Sequence, residues 1–273
     1  MVPEMTRFAR SLAASALLVL APLPAAAGEG LFDWVHGDWY LTLGASGTVA
    51  PDFEGGRTYL FAAQPLVSLG KVGPEARFVS RNDNMSISLY DSGAVRAGLN
   101  GKIVWGRDGG DGDALKHLDP VRWGAEIGGF AEVYPTDWLR VRAEVRQGVR
   151  AHHGVVADIT ADAFHDVTPA VRVSGGPRLY LASAGYFDAY YGVNARESAA
   201  SGLDAYDPGG GVKSFGVGGA VTWKTTDRVT TSLFGEYARL TGPAADSSLV
   251  EERGSPNQFM FGVSATYRFD FRM

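Results

Sequence analysis

The chain has 273 residues, 45% of them hydrophobic, with 36 glycines, no cysteine and a formal net charge of −5 at pH 7. Those values exclude a disordered chain, a disulfide framework, thiol chemistry and a Cys-based zinc site; the acidic balance, with no basic run, excludes a nucleic-acid-binding surface. Beyond residue 27 no stretch of about 18 apolar residues occurs, so a membrane-spanning helix is excluded too, and such a chain enters a membrane only as a barrel.

The first predicted element is a secretory signal peptide. Arg7 and Arg10 precede the apolar run "SLAASALLVLA", which is too short to span a bilayer, and "PLPAAA" ends in an A-x-A pattern at Ala25 to Ala27. Cleavage is expected after Ala27, which leaves residues 28–273 as one domain. Period-two alternation then predicts twelve strands, near 38–50, 57–70, 74–82, 85–91, 94–106, 121–134, 137–150, 163–174, 178–193, 212–224, 227–240 and 258–271. In the first, Trp39, Leu41, Leu43, Ala45, Gly47 and Val49 share a face opposite Tyr40, Thr42, Gly44, Ser46 and Thr48. The sixth sets Trp123, Ala125, Ile127, Gly129, Ala131 and Val133 against Glu126 and Glu132, and the seventh sets Leu139, Val141, Ala143 and Val145 against Arg140, Arg142, Glu144 and Arg146. The last puts Phe259, Phe261, Val263, Ala265, Tyr267, Phe269 and Phe271 on one face and Gln258, Met260, Gly262, Ser264, Thr266, Arg268 and Asp270 on the other.

The connections alternate. Short links such as "KVG", "DS", "PT", "GGP" and "TT" interleave with long ones such as "RDGGDGDALKHLDP", "AHHGVVADITAD", "ARESAASGLDAYDPGGG" and "TGPAADSSLVEERGSPN". Short turns alternating with long loops, an even strand count, an export signal and Trp39, Trp123, Trp138 and Trp223 near strand ends are the signature of an outer-membrane barrel. The predicted fold class is therefore all-β, an antiparallel transmembrane β-barrel of about 12 strands, located in the cell outer membrane, with lipid and lipopolysaccharide around it, its long loops outside and both termini periplasmic. A soluble secreted sandwich would not alternate its turn lengths.

Four stretches carry a closer likeness: "PDFEGGRTYLFAAQPLVSL", "GAEIGGFAEVYP", "YFDAYYGVNARESAASGLDAYDPGGGVKSFGVG" and "RLTGPAADSSLVEERGSPNQFMFGVSATYRF". In these the chain resembles the MipA/OmpV family of outer-membrane proteins, named for the MltA-interacting protein, with Ser248 where "DSPLV" is the expected pattern. Phe271 is followed by Arg272 and Met273, whereas such barrels commonly end on the aromatic residue. What the resemblance implies is a non-enzymatic scaffold that links a lytic transglycosylase of MltA type to a murein polymerase in peptidoglycan metabolism, or a surface antigen or adhesin. It implies no catalytic motif, no cofactor and no metal.

The residues themselves leave three classes of function open: scaffold, narrow channel and barrel enzyme. His152, His153, Asp158, Asp162, His165 and Asp166 fall in one predicted loop region, where converging imidazoles and carboxylates would suit acid/base or metal chemistry; a solvated polar loop is the simpler reading. Asp108, Asp111, Asp113 and Asp119 are a similar acidic loop without the spacing of a calcium site. Arg140, Arg142 and Arg146 are expected to face Glu126, Glu132 and Glu144 in the lumen as structural pairs, or else to line a diffusion path. On the periplasmic side, "GEGLFDWVHGD" offers Leu31, Phe32, Trp34 and Val35 as an aromatic anchor for a partner, or as residues of the membrane interface or the barrel mouth.

Overall fold

The computed structural model describes residues 36–71, 78–80 and 82–272. Eleven strands form its sheet: β1 (Asp38–Pro51), β2 (Tyr59–Lys71), β3 (Met85–Asp91), β4 (Val95–Val104), β5 (Gly124–Thr136), β6 (Leu139–Val149), β7 (Val155–Thr168), β8 (Val171–Ala182), β9 (Gly211–Lys224), β10 (Val229–Leu240) and β11 (Asn257–Arg272). Among the described residues, four short α-helices and one 3-10 turn (Asp113–Leu115) lie in the loops: α1 (Ala184–Tyr191), α2 (Ala195–Ser201), α3 (Gly242–Ala245) and α4 (Ser248–Arg253). The strand order is β2-β1-β11-β10-β9-β8-β7-β6-β5-β4-β3, with every paired neighbour antiparallel, so the last strand pairs with the first.

Alternation decides which face is which. On β11, Phe259, Phe261, Val263, Phe269 and Phe271 are 38–58% exposed, while on β6 Arg140, Arg142, Glu144 and Arg146 are buried. A sheet that exposes its apolar residues and buries its charged ones is inside-out relative to a soluble core, as a barrel facing acyl chains requires. Trp123 opens β5 at the long-loop end, Trp138 and Trp223 sit at the short-turn end, and all three are more than half exposed; Trp39 is buried.

The segment between β2 and β3 explains how the sheet curls. Strand alternation makes β2 and β3 run in the same direction, so Lys71 ends at the short turns and Met85 begins at the long loops. Between them, the described residues 78–80 and 82–84 lie inside: Phe78 stacks on Phe164 of β7 at 4.5 Å, Asn82 donates to Tyr180 of β8 and Glu236 of β10, Asp83 accepts two bonds from Arg140 of β6, and Asn84 donates to Glu144. One short segment can touch β6, β7, β8 and β10 only if the sheet wraps around it. Strands β2 and β3 lie in contact, with no ladder between them among the described residues.

The antiparallel barrel is as expected, and three local readings differ. The stretch read as a third wall strand, 74–82, is instead luminal where it is described, because Phe78 to Ser80 carry no ladder and Asn82 spends its side chain on lumen partners. "GGP" is not a turn but the middle of β8. A Cβ on Gly176 would sit 2.1 Å from the Ala161 carbonyl, and Pro177 has no N–H to give that carbonyl, so the Arg178 guanidinium donates to it at 3.1 Å. The true turn lies at Pro169 and Ala170, where Thr168 Oγ1 accepts the N–H groups of Ala170 and Val171. Finally, residues 184–191 are helix rather than strand. Tyr186 with Tyr190 and Phe187 with Tyr191 follow the i, i+4 spacing of a helix.

The lipid face has a direct test. Leu233 lies mid-strand on the outer face and is 61% exposed, so Leu233→Arg should cost about 2–4 kcal/mol in a reversible folding titration into liposomes. Thr42→Asp, on the inner face opposite Arg268, should cost far less. Equal costs would contradict the face assignment.

Candidate functional site

The interior is built on β6, whose alternate residues place three arginines and a glutamate in a row. Arg142 reaches Glu132 at 2.8 Å and Glu144 at 2.7 Å, and Arg146 reaches Glu126 at 2.8 Å, Glu144 at 2.6 Å and Asp158 at 2.7 Å. Arg140 binds Asp83 at 2.7 Å and Asp162 at 3.0 Å, and Asp162 also takes Arg178 at 2.5 Å. Arg142 with Glu132 and Arg146 with Glu126 are the cross-strand pairs the sequence predicts; Glu144 instead pairs along its own strand, and Asp83 from the luminal segment and Asp158 and Asp162 from β7 extend the network. Rings cover the cations: Arg142 lies 3.9 Å from the Phe130 centroid and Arg140 4.9 Å from that of Phe78. Such a network makes each member costly to remove, because an unpaired partner stays buried.

Above the ladder the long loops fold into a cap. Phe187 and Tyr191 of α1 pack with Val156, Ala182, Leu240, Ala244 and Val250, and a second cluster joins Phe53, Leu115, Val193, Leu203 and Leu249. Asn194 caps α2 through the N–H groups of Arg196 and Glu197, while Glu197 returns a bond to the Asn194 N–H, and Gly202 closes the helix at φ 79°. The cap is tied to the wall at Lys213. A bulge in β9 leaves that residue between the Tyr180–Ser214 and Leu181–Val212 pairs. Its ammonium donates to Glu54 Oε1 at 2.5 Å, and the Tyr186 hydroxyl donates to Glu54 Oε2 at 2.5 Å. Burial pushes the Glu54 carboxyl up, but the charge and hydrogen bond of Lys213 and the bond from Tyr186 outweigh it and leave it below the usual glutamate value. Burial, then the neighbouring Glu54 charge, hold Tyr186 well above the usual phenol value and lift Tyr190 to about 12.

The sequence pattern of the family described as MltA-interacting protein MipA matches residues 43–269. The chain belongs to the MipA family. No curated protein matches it. Among solved structures it is similar to a bacterial polysaccharide outer membrane secretin (10% identity, 85% of this chain and 98% of that one, TM-score 0.42). It is also similar to the CymD monoaromatic hydrocarbon channel (11%, 88% and 90%, 0.38) and to Neisserial surface protein A (12%, 85% and 99%, 0.27). Family membership and the inside-out barrel together place the chain in the outer membrane.

The polar candidates in this MipA-family chain do not converge. His152 is buried beneath the cap, its Nδ1 accepting the Gly154 N–H and its Nε2 lying 3.2 Å from Glu126, so it carries its proton toward that carboxylate. Asp158 and Asp162 are wall residues of β7 committed to arginines, His165 faces outward, and Asp166 pairs with Arg172 at the short-turn end. Of the acidic loop, Asp108 and Asp111 shape a turn, Asp113 pairs with Lys116 and Asp119 pairs with Arg196. Among the described residues no group of three or more His, Asp and Glu side chains could hold a metal ion. Leu31, Phe32, Trp34 and Val35 lie outside the described residues, as does the stretch 1–27 read from the sequence as a signal peptide. The sequence reading missed the Glu54, Tyr186 and Lys213 tie, whose members are far apart in the chain. It also missed the capping box at Asn194 and Glu197, which the N-x-x-E spacing displays.

Proposed function

We propose that this protein is a non-enzymatic scaffold that holds a lytic transglycosylase of MltA type beside a murein polymerase in peptidoglycan metabolism, with its short turns and both termini in the periplasm. The observation that carries this reading is the filled interior: the ladder on β6 interlocks with the luminal residues 78–80 and 82–84, and the cap covers the long-loop end. A barrel blocked in this way acts through its surface rather than its pore. The family's own description supplies the partner class. The mature N-terminal stretch carries the anchor, since Leu31, Phe32, Trp34 and Val35 form the longest apolar segment that such a partner can reach.

Deleting Leu31 to Val35 should abolish capture of the transglycosylase in crosslinked envelopes while heat-modifiable migration of the barrel persists. Capture that survives this deletion but fails when 194–211 or 241–257 is cut would move the binding face outside and favour the adhesin reading. The purified barrel should give no conductance steps in a planar bilayer, and regular steps would favour the narrow channel.

A further inference from the structure

At the long-loop end, the ends of β4, β5 and β6 bring two tryptophans and two arginines together on the outer rim. The register that pairs Val104 with Gly124 and Arg107 with Val121 sets Trp105 opposite Trp123. Both indoles are on the outer face, 65% and 58% exposed, above an apolar band that Ile103, Ile127 and Val149 continue. That is the level of an aromatic girdle, where acyl chains give way to headgroups. Arg122 leads directly into Trp123 and is exposed, while Val121 before it is buried. Arg150, just past the end of β6, is exposed too and lies 4.2 Å from the centre of the Trp123 ring.

The placing of Arg150 is built into the backbone. The Ala151 N–H returns to the Val149 carbonyl at 3.0 Å, closing a three-residue turn whose central residue, Arg150, sits at φ 73°. Such left-handed backbone is strained in a residue other than glycine. Gly124 makes room for the turn: a Cβ there would lie 2.3 Å from the Val149 carbonyl oxygen and 2.4 Å from the Ala151 nitrogen. The turn therefore closes against β5, and the Arg150 side chain crosses Trp123.

Unlike Arg140, Arg142 and Arg146 in the lumen, these two cations hold no carboxylate. Among the described residues neither the Arg122 nor the Arg150 guanidinium has a hydrogen bond or an ion pair. The carboxylates of the adjoining loop are engaged elsewhere: Asp108 and Asp111 accept N–H groups of their own turn, Asp113 pairs with Lys116, and Asp119 pairs with Arg196. Stacking on Trp123 occupies the face of the Arg150 guanidinium and leaves the N–H donors in its plane for an acceptor.

We infer that this corner of the barrel binds the phosphorylated headgroup of a lipopolysaccharide in the outer leaflet, an inference that rests on the reading that the long loops lie outside. A headgroup seated at Trp123 meets Arg122 and Arg150 together. Its phosphate brings about −1.5 to −2 charge and several acceptor oxygens, which suits two guanidiniums that repel each other without an anion between them and that can each donate to it in pairs. The acyl chains then descend over Trp105, Trp123 and the apolar residues below. An uncharged lipid would leave both cations unpaired at the membrane surface.

The test uses the folded, purified protein in detergent micelles and counts bound lipid by native mass spectrometry, with diphosphoryl lipid A, its dephosphorylated form and inorganic phosphate as probes. One saturable lipid A per barrel is expected, held at least tenfold more tightly than the dephosphorylated lipid. In the double variant Arg122→Gln, Arg150→Gln that preference should vanish. Arg150→Gly separates binding from folding, since glycine takes φ 73° without strain: its heat-modifiable migration should match the parent's while its affinity for lipid A falls. Equal affinity for the two lipids, or unchanged affinity in either variant, would overturn the inference. So would displacement of lipid A by an equal concentration of inorganic phosphate, which would make this a site for a free anion. Orientation is read separately. The chain has no cysteine, so Lys116→Cys in the same loop offers intact cells a single thiol for a membrane-impermeant maleimide. Lipid A binding without labelling would put this rim in the inner leaflet and overturn lipopolysaccharide as the occupant. Labelling without lipid selectivity would sink the site and leave the orientation, and with it the scaffold, standing.

Discussion

Arg140→Met should lower the stability of the barrel by about 3–5 kcal/mol, the usual cost of removing one partner from a buried ionic network. Arg140 is 1% exposed, binds Asp83 through two nitrogens, reaches Asp162 at 3.0 Å and lies 3.5 Å from Glu132. Methionine fills much of the volume but leaves the luminal segment without its main tether. Asp162 keeps Arg178 and Glu132 keeps Arg142, so the uncompensated charge falls chiefly on Asp83. A reversible urea titration in liposomes reads the cost as a fall in midpoint. Arg172→Ala is the comparison: its pair with Asp166 is half in solvent, and such pairs are worth about 0–1 kcal/mol. A small effect of Arg140→Met would mean that Asp83 relaxes to water and that the luminal segment is not fixed from this point. In Arg140→Met and Asp83→Asn together, part of the loss should return, because the second change removes the charge that the first strands.

How much of this was legible in the sequence depends on what each residue's neighbours are. On β11 the alternation runs for a whole strand, lipid outside and lumen inside, and the faces read from sequence are those observed. The pairing of Arg142 with Glu132 and of Arg146 with Glu126 was readable for the same reason: adjacent strands with opposite charges at matching parity. The reading of 74–82 as a wall strand misled where the stretch is described, because period-two patterning does not tell a luminal residue from a wall residue and only its partners do; Asn82 and Asp83 reveal themselves by Tyr180, Glu236 and Arg140, all distant in sequence. "GGP" misled because glycine and proline usually mark turns. Here glycine admits a close backbone, and an arginine side chain supplies the donor that proline lacks. The cap was invisible as a unit, since Glu54, Tyr186 and Lys213 come from three separate parts of the chain and a bulge sets the last of them.

Phe187→Ala should cost a similar amount, about 3–5 kcal/mol for a fully buried phenylalanine, but in a different place. Phe187 is 0% exposed and packs among Tyr191, Leu240, Ala244 and Val250, a cluster made by loops and strand ends rather than by the barrel wall. The loss should therefore appear as local opening of the cap and leave the urea midpoint of the barrel nearly unchanged. When opening is fast relative to cleavage, proteolysis tracks the open population, so cutting within 195–210 should accelerate by about two orders of magnitude or more. A midpoint that falls as far as in Arg140→Met would instead make cap and barrel one cooperative unit. Bilayer recordings of the same variant separate the two barriers. With the cap loosened, the ladder from Glu126 to Asp162 still fills the lumen, and the membrane should stay silent. Conductance steps that appear only in Phe187→Ala would identify the cap as a gate over a usable path, and the narrow-channel reading would then replace the scaffold.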